Sequence, residues 1–262
     1  MTPDRRFKTL FVPHEVLAVL AAFALWEIVV RILELPRVVL PSPSVVFDEL
    51  AENPSYYVLQ SWHTLVNTLS AFALAVVLGV AMAIGIVYSR FLERTVYALL
   101  VALNNVPKVA LAPLFVIWLG TGSASKIGMA LMIAIFAIVI DAVLGLRSLD
   151  PDLIDLGRSM RGSALKMLVK IRFPNALPSI FAGMKVALSL ALVGEIVGEF
   201  VAAQKGLGFV ILSAQGLFRT DRVFAAILIL AALGTALYYA MEFIERKLLP
   251  WHASHRGPRA GT

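Results

Sequence analysis

Cysteine is absent from this 262-residue chain, which excludes a disulfide framework, a thiolate metal site and a cysteine nucleophile. Charge is also scarce: 15% of the residues are charged, against about 25% in an average soluble domain. No G-x-x-x-x-G-K-[ST] loop occurs to cradle a nucleotide phosphate. G-x-S-x-G and His-Glu-x-x-His are missing too, so an enzyme buried in a membrane would lack its nucleophile and base. His14, His63, His252 and His255 are scattered without ligand spacing, and none is read as a metal ligand.

What the chain has in excess is apolar residues, at 60% with a mean hydropathy of +0.85. They fall in long runs, several of which reach the roughly 20 residues that a membrane-spanning helix needs. The hydropathy therefore predicts an all-α integral membrane protein with six transmembrane helices, over about 14–33, 63–88, 95–119, 127–146, 176–200 and 223–245. The basic start MTPDRRFK looks like the lead of a signal peptide, but the run from Val16 to Leu33 offers no small-residue cleavage site, so a retained first helix is expected. Between the first two spans, LPSPSVVFDELAENPSYY reads as an extended turn into a short amphipathic helix, capped by Ser42 or Ser44. The third span is interrupted at Asn104-Asn105-Val106-Pro107-Lys108 and again at Pro113.

The net charge of +6 does not mark a nucleic-acid partner, because the basic residues lie between the apolar runs. Three Lys or Arg precede the first span, two follow the second, six follow the fourth and four follow the sixth. The other side holds five: Arg37, Lys126, Lys205, Arg219 and Arg222. Cytoplasmic loops carry the excess of Lys and Arg, so both termini are expected in the cytoplasm.

The segment 150–174 carries helix signals of its own. Asp150 suits an N-cap, Pro151 the first helical position, and Asp152 the helix dipole. Leu153, Leu156 and Met160 share a face. After Gly162, Ser163 starts a second short helix with Leu165, Leu168 and Val169 on one stripe, ringed by Lys166, Lys170 and Arg172, and Pro174 is expected to stop it. Asn175 and Pro178 then start the fifth span. On physical grounds two readings stand: an amphipathic hairpin on anionic lipid, or a docking element for a partner groove.

This segment resembles the cytoplasmic signature loop of bacterial ABC importer permeases, in which an acidic residue precedes two small residues, a glycine, an Ile and a Leu-Pro pair. Asp155, Gly157, Ile171 and Pro174 stand at the matching spacings, with Phe173 in place of Leu. Leu156 replaces a small residue, and Arg161 holds the glycine position with Gly162 one step later. LPSPSVVFDEL, VPKVALAPLFVIWLGTG and GEIVGEFVAAQKGLGFVI also resemble the nitrate, sulfonate and taurine permease group. PKVALAPL and MRGSALKM are similar to its thiamine-pyrimidine-precursor and riboflavin branch.

The resemblance implies a type I ABC importer permease fold in a bacterial inner membrane, with residues 150–174 as the coupling loop. It also implies three protein partners. These are a cytoplasmic ABC ATPase subunit that binds the ATP and Mg, a second copy of the permease, and a periplasmic or lipid-anchored binding protein facing loops 36–60 and 201–222. No cofactor is expected in this chain itself.

Charged groups inside a span are costly and are functional candidates by default. Glu195 and Glu199 sit four apart beside Gly194 and Gly198, whose spacing permits close helix packing. They read either as a pathway or gate, or as an interfacial polar pair. Lys108, beside Asn104 and Asn105 in broken backbone, lines a pathway for an anion or binds a structural partner. Lys185 is expected to snorkel to the cytoplasmic surface, and Glu27 to make a buried structural contact. An ion-coupled secondary transporter or channel is the alternative that broken helices and buried charge leave open, although the chain shows no internal repeat.

Overall fold

The computed structural model describes residues 14–97, 99, 102, 105–159 and 163–250, and among them there is no β-strand. Helix α1 spans His14–Ile32, and the amphipathic α2 spans Pro43–Glu52. Ser42 occupies the N-cap of α2 without making a side-chain cap bond. Glu27 of α1 does that work instead, accepting the Ser44 N–H at 3.0 Å and the Ser44 hydroxyl at 3.0 Å. Its other partner is Arg31, whose Nε donates at 2.6 Å. The structural contact expected of Glu27 is thus an inter-helix cap, but a half-buried one and not the buried contact expected, its side chain being 22% exposed.

The second apolar run begins earlier than expected, at Pro54, and continues as one 35-residue helix, α3 (Pro54–Tyr88). Pro54 suits a first helical position because its missing N–H would have had no intrahelical partner. The third run is broken, as its sequence implies. A 3-10 turn covers Lys108–Leu111, and α4 covers Ala112–Leu119. Pro113 does not interrupt anything, however; it lies in the first turn of α4, where a proline is tolerated.

Next come α5 (Ser123–Arg147) and α6 (Pro151–Ser159). The turn Ala164–Met167 and a π-helical turn Leu168–Arg172 then feed directly into α7 (Phe173–Ala202). Pro174 was expected to stop the second short helix, and Pro178 to open the next span. Instead the helix is continuous from Ala164 to Ala202. The wider i→i+5 turn just before Pro174 accommodates a residue that cannot donate to the preceding turn, and Pro178 lies inside α7. Helices α8 (Leu207–Gly216) and α9 (Thr220–Leu248) follow.

Among the described residues, four helical stretches are long and apolar enough to cross a membrane: Pro54–Tyr88, Ser123–Arg147, Ala164–Ala202 and Thr220–Leu248. The first and third expected spans differ for visible reasons. Helix α1 has 19 residues and carries Glu15, Glu27 and Arg31, whereas the third run is divided.

The core is a three-helix packing of α3, α5 and α7. Phe72, Ala75, Ala134, Ile138, Ala187 and Leu188 fill its middle, and Ala83, Ile86, Val139, Val143, Ala176 and Ile180 its end near residue 150. Small residues bring α5 and α7 together. A Cβ on Gly194 would lie 2.7 Å from Ala130 Cα, and one on Gly198 would lie 3.0 Å from Lys126 Cα. A smaller cluster (Val46, Tyr57, Leu207, Val210, Ala225, Ala226) joins α2, α8 and α9. Outside these contacts α1, α4 and α9 expose large apolar side chains such as Leu20, Ile117 and Phe243, as lipid-facing helices do.

Candidate functional site

The α3 residues Gln60, Thr64 and Asn67 recur on one face and meet α7 and the start of α8. Glu195 and Glu199, both essentially unexposed (0% and 1%), lie on the α7 side of that meeting. Glu199 accepts the Thr64 hydroxyl at 2.8 Å and the Gly208 N–H at 2.6 Å. Thr64 Oγ1 in turn accepts the Leu207 N–H at 2.9 Å, and Gln60 Oε1 accepts the Gly206 N–H at 2.6 Å. The first amides of α8, which no helix satisfies internally, are therefore capped by side chains of α3 and α7.

Two glycines make this approach possible. Gly206 has φ +107°, a region L side chains rarely adopt, and a Cβ there would collide with the Glu199 carboxylate. A Cβ on Gly208 would stand 2.7 Å from Glu199 Cβ. Glu199 thus stands as a carboxylate at the N-terminus of α8. Glu195 is different. Its Oε1 accepts Asn67 Nδ2 at 2.8 Å, while its buried Oε2 has no partner among the described residues.

Lys126, placed by sequence in an outer loop, is instead in the first turn of α5 and only 8% exposed. Packing against Gly198 carries it to the flank of the two glutamates. A polar cavity of about 390 Å³ opens there, lined by His63, Asn67, Ser123, Lys126, Gln204 and Lys205, with Thr121 and Gly122.

The other candidates lie elsewhere. Lys108 sits in the 3-10 turn with its Nζ 4.6 Å above the Phe136 ring, and Asn105 is in the preceding turn, its N–H bonded to Ala102 O at 3.2 Å. The hydrogen bonds of Glu195 and Glu199 run to α3 and α8, so Lys108 and the glutamate pair form two places, not one. Asn104, Arg161 and Gly162 lie outside the described residues.

Lys185 does not snorkel. It forms an ion pair with Glu245 of α9 and lies 5.7 Å from the Tyr238 ring centre, because a carboxylate within reach stabilises a half-buried ammonium better than a stretched stem. Two places escaped the sequence reading altogether. Asp141 faces Gly183 of α7, where a Cβ would lie 2.7 Å from Asp141 Cβ; a carboxylate in the fourth apolar run was the signal. Buried Glu49 gathers Arg219 Nη2 at 2.8 Å, Tyr57 OH at 3.2 Å and, at ion-pair distance without hydrogen-bond alignment, Arg222 Nε at 3.0 Å. Asp221, hydrogen-bonded to Arg219, holds that guanidinium above its ordinary pKa.

At the opposite end, Asp150 caps α6 by accepting the Asp152 N–H at 3.0 Å, and Ser163 accepts the Lys166 N–H at 3.4 Å. Tyr88 OH donates to Ala164 O at 3.3 Å, with the Arg172 guanidinium 5.5 Å from its ring centre, tying this turn to the end of α3. Met167 is buried, but Leu153, Leu165 and Val169 are 46%, 70% and 58% exposed. Asp155 is exposed on α6, while Ile171 and Pro174 are half-buried where the turn enters α7.

Residues 75–250 match the family described as binding-protein-dependent transport system inner membrane component. The chain is 33% identical to the formylaminopyrimidine transport permease ThiX of Halalkalibacterium halodurans, over 88% of this chain and 93% of the relative. It is 34% identical to the riboflavin transport system permease RibX of Chloroflexus aurantiacus, over 87% and 86%. Its fold is similar to a chain of the MetNI methionine ABC transporter in an inward-facing conformation, with a TM-score of 0.66 and 21% identity over 74% of this chain and 98% of that one.

Proposed function

The chain belongs to the family of binding-protein-dependent transport system inner membrane components, and from that premise we propose how this ABC importer permease subunit works. Two copies form the pathway in a bacterial inner membrane, with both termini in the cytoplasm, and each takes its energy from a cytoplasmic ABC ATPase. A periplasmic or lipid-anchored binding protein delivers a small solute, sulfonate-, nitrate- or taurine-like, or pyrimidine- or riboflavin-like as in the named relatives.

One observation carries the energy-coupling part: the exposed Leu165 and Val169 stand on a turn that runs without a break into α7, while Leu153 is exposed on α6. An apolar patch at a cytoplasmic end seats in a groove of a soluble partner. A helix continuous from Ala164 to Ala202 passes movement of that turn across the membrane as a lever. Packing of α7 on α5 and the Glu199 cap on α8 then spread the movement to the far end. The transition is a two-state rearrangement biased by the partner's nucleotide. In this reading Asn104, Asn105, Lys108, Glu195 and Glu199 are assigned to the pathway, and Asp155, Gly157, Arg161, Gly162, Ile171 and Pro174 to the coupling with the ATPase.

Purification in mild detergent tests this reading. The importer requires an ATPase to co-purify and its hydrolysis to rise with the binding protein. Deleting 153–161 or reversing the charge of Arg161 should abolish that association while leaving membrane insertion intact. Uptake driven by a proton or sodium gradient through this chain alone would overturn it in favour of a secondary transporter.

A further inference from the structure

The cavity beside Lys126 lies at the end of the bundle opposite the 150–174 turn. We propose that it is a binding site for the anionic group, a sulfonate or carboxylate, of a small solute entering the pathway. The proposal rests on the permease reading, and it assigns a substrate chemistry to one place within it.

Lys126 is more than nine-tenths buried and lines the cavity, and among the described residues its Nζ forms no hydrogen bond or ion pair with protein. Its Nζ is not sealed off as an unsatisfied buried atom; its stem is packed while the ammonium is left to the cavity, where an anion would give it the partner the protein does not. The nearest carboxylates do not claim it. Both oxygens of Glu199 are taken by Thr64 and Gly208, and Glu195 Oε1 by Asn67. Neither glutamate forms an ion pair with Lys126 among the described residues.

The rest of the lining points the same way. Lys205, itself exposed, also lines the cavity, Asn67, Ser123, Gln204 and His63 add polar groups, and among the described residues no acidic side chain lines it. Its floor is the start of a 25-residue helix whose first turn carries no acid, where backbone N–H groups and the dipole favour an anion. About 390 Å³ suits a small solute.

The test uses the full chain in complex with its ATPase, in nanodiscs of zwitterionic lipid, titrated calorimetrically with methanesulfonate and with dimethyl sulfone, its neutral near-isostere. Methanesulfonate should bind at least about tenfold more tightly than the sulfone. Lys126→Ala should weaken it by about tenfold, Lys205→Ala by a smaller factor, and Lys126→Arg should retain most of it. Equal binding of the two probes, or indifference to both Lys126→Ala and Lys205→Ala, overturns the site. Should Lys126→Ala fail to fold, retention by Lys126→Arg together with loss in Lys205→Ala supports it, and loss in neither overturns it. Adding phosphatidylglycerol to the discs should leave the titration unchanged; displacement by that lipid would reassign the cavity to a headgroup. A complex that keeps its ATPase but ignores methanesulfonate sinks this proposal alone. A chain that binds methanesulfonate through Lys126 but holds no ATPase sinks the importer reading alone.

Discussion

Glu199 of α7 accepts the backbone N–H of Gly208 at 2.6 Å, so a carboxylate inside the bundle caps the N-terminus of the short helix α8. Removing it strands the Gly208 amide and the Thr64 hydroxyl, and each unsatisfied buried group costs about 1–3 kcal/mol. Glu199→Ala is therefore expected to destabilise the chain by about 2–4 kcal/mol. Glu199→Gln, whose carbonyl still accepts from Gly208 and whose amide can donate to Thr64, should cost about 1 kcal/mol. SDS-driven unfolding in mixed micelles measures both. Equal losses would mean that the charge, not the hydrogen bonds, holds α8 in place.

The glycine pair on α7 makes a graded prediction. A methyl on Gly194 meets the Ala130 Cα at 2.7 Å, and one on Gly198 meets the Lys126 Cα at 3.0 Å. Backbone cannot move aside as a side-chain tip can, so both alanines overpack the α5–α7 contact. Overpacking costs about 1–3 kcal/mol, and the loss is expected to be larger for Gly194→Ala. The same unfolding assay checks the order, and a reversed order would show that α5 yields more readily at Ala130 than at Lys126.

Much of this was legible in the apolar runs and in Gly194-x-x-x-Gly198, since hydropathy and small-residue spacing are local signals that packing then obeys. The amphipathic α2, the break at 105–111 and the caps at Asp150 and Ser163 were readable for the same reason. Helix continuity through Pro174 was not, because a π-turn is an accommodation of the whole helix and leaves no residue signature. Lys126 was misplaced because hydropathy ends a span at a charge, whereas α5 begins three residues earlier and buries that charge against Gly198. The cap on α8 joins residues 60, 64, 199 and 208 across long separations, which no local pattern reports.

Lys185 and Glu245 form an ion pair between α7 and α9 in which both side chains are largely shielded. Breaking a buried pair from one side leaves an uncompensated charge, at about 3–5 kcal/mol, whereas replacing both by apolar groups is often neutral. Lys185→Met and Glu245→Met should each lower the unfolding midpoint clearly, and the double variant should recover most of the loss. A double variant as weak as the sum of the singles would show that the two residues act separately, with Lys185 held by Tyr238 instead.

The coupling turn yields the prediction that separates stability from function. Leu165 and Val169 are exposed and one turn apart on the helix that leads into α7, whereas Met167 between them is buried. Polar residues at the two exposed positions remove no internal contact, so Leu165→Ser with Val169→Ser should leave the unfolding midpoint within about 0.5 kcal/mol of the parent. If the turn seats in the ATPase, those side chains lie at the centre of the contact, where truncation of a buried anchor costs about 2 kcal/mol or more. Association should then weaken by at least about tenfold in a pull-down titration of the two subunits. Met167→Ala is the matched control: it should cost stability first and association only in proportion to unfolding. If the double serine variant held the ATPase as tightly as the parent, the exposed apolar face would be a lipid contact and the docking role would pass to α6 alone.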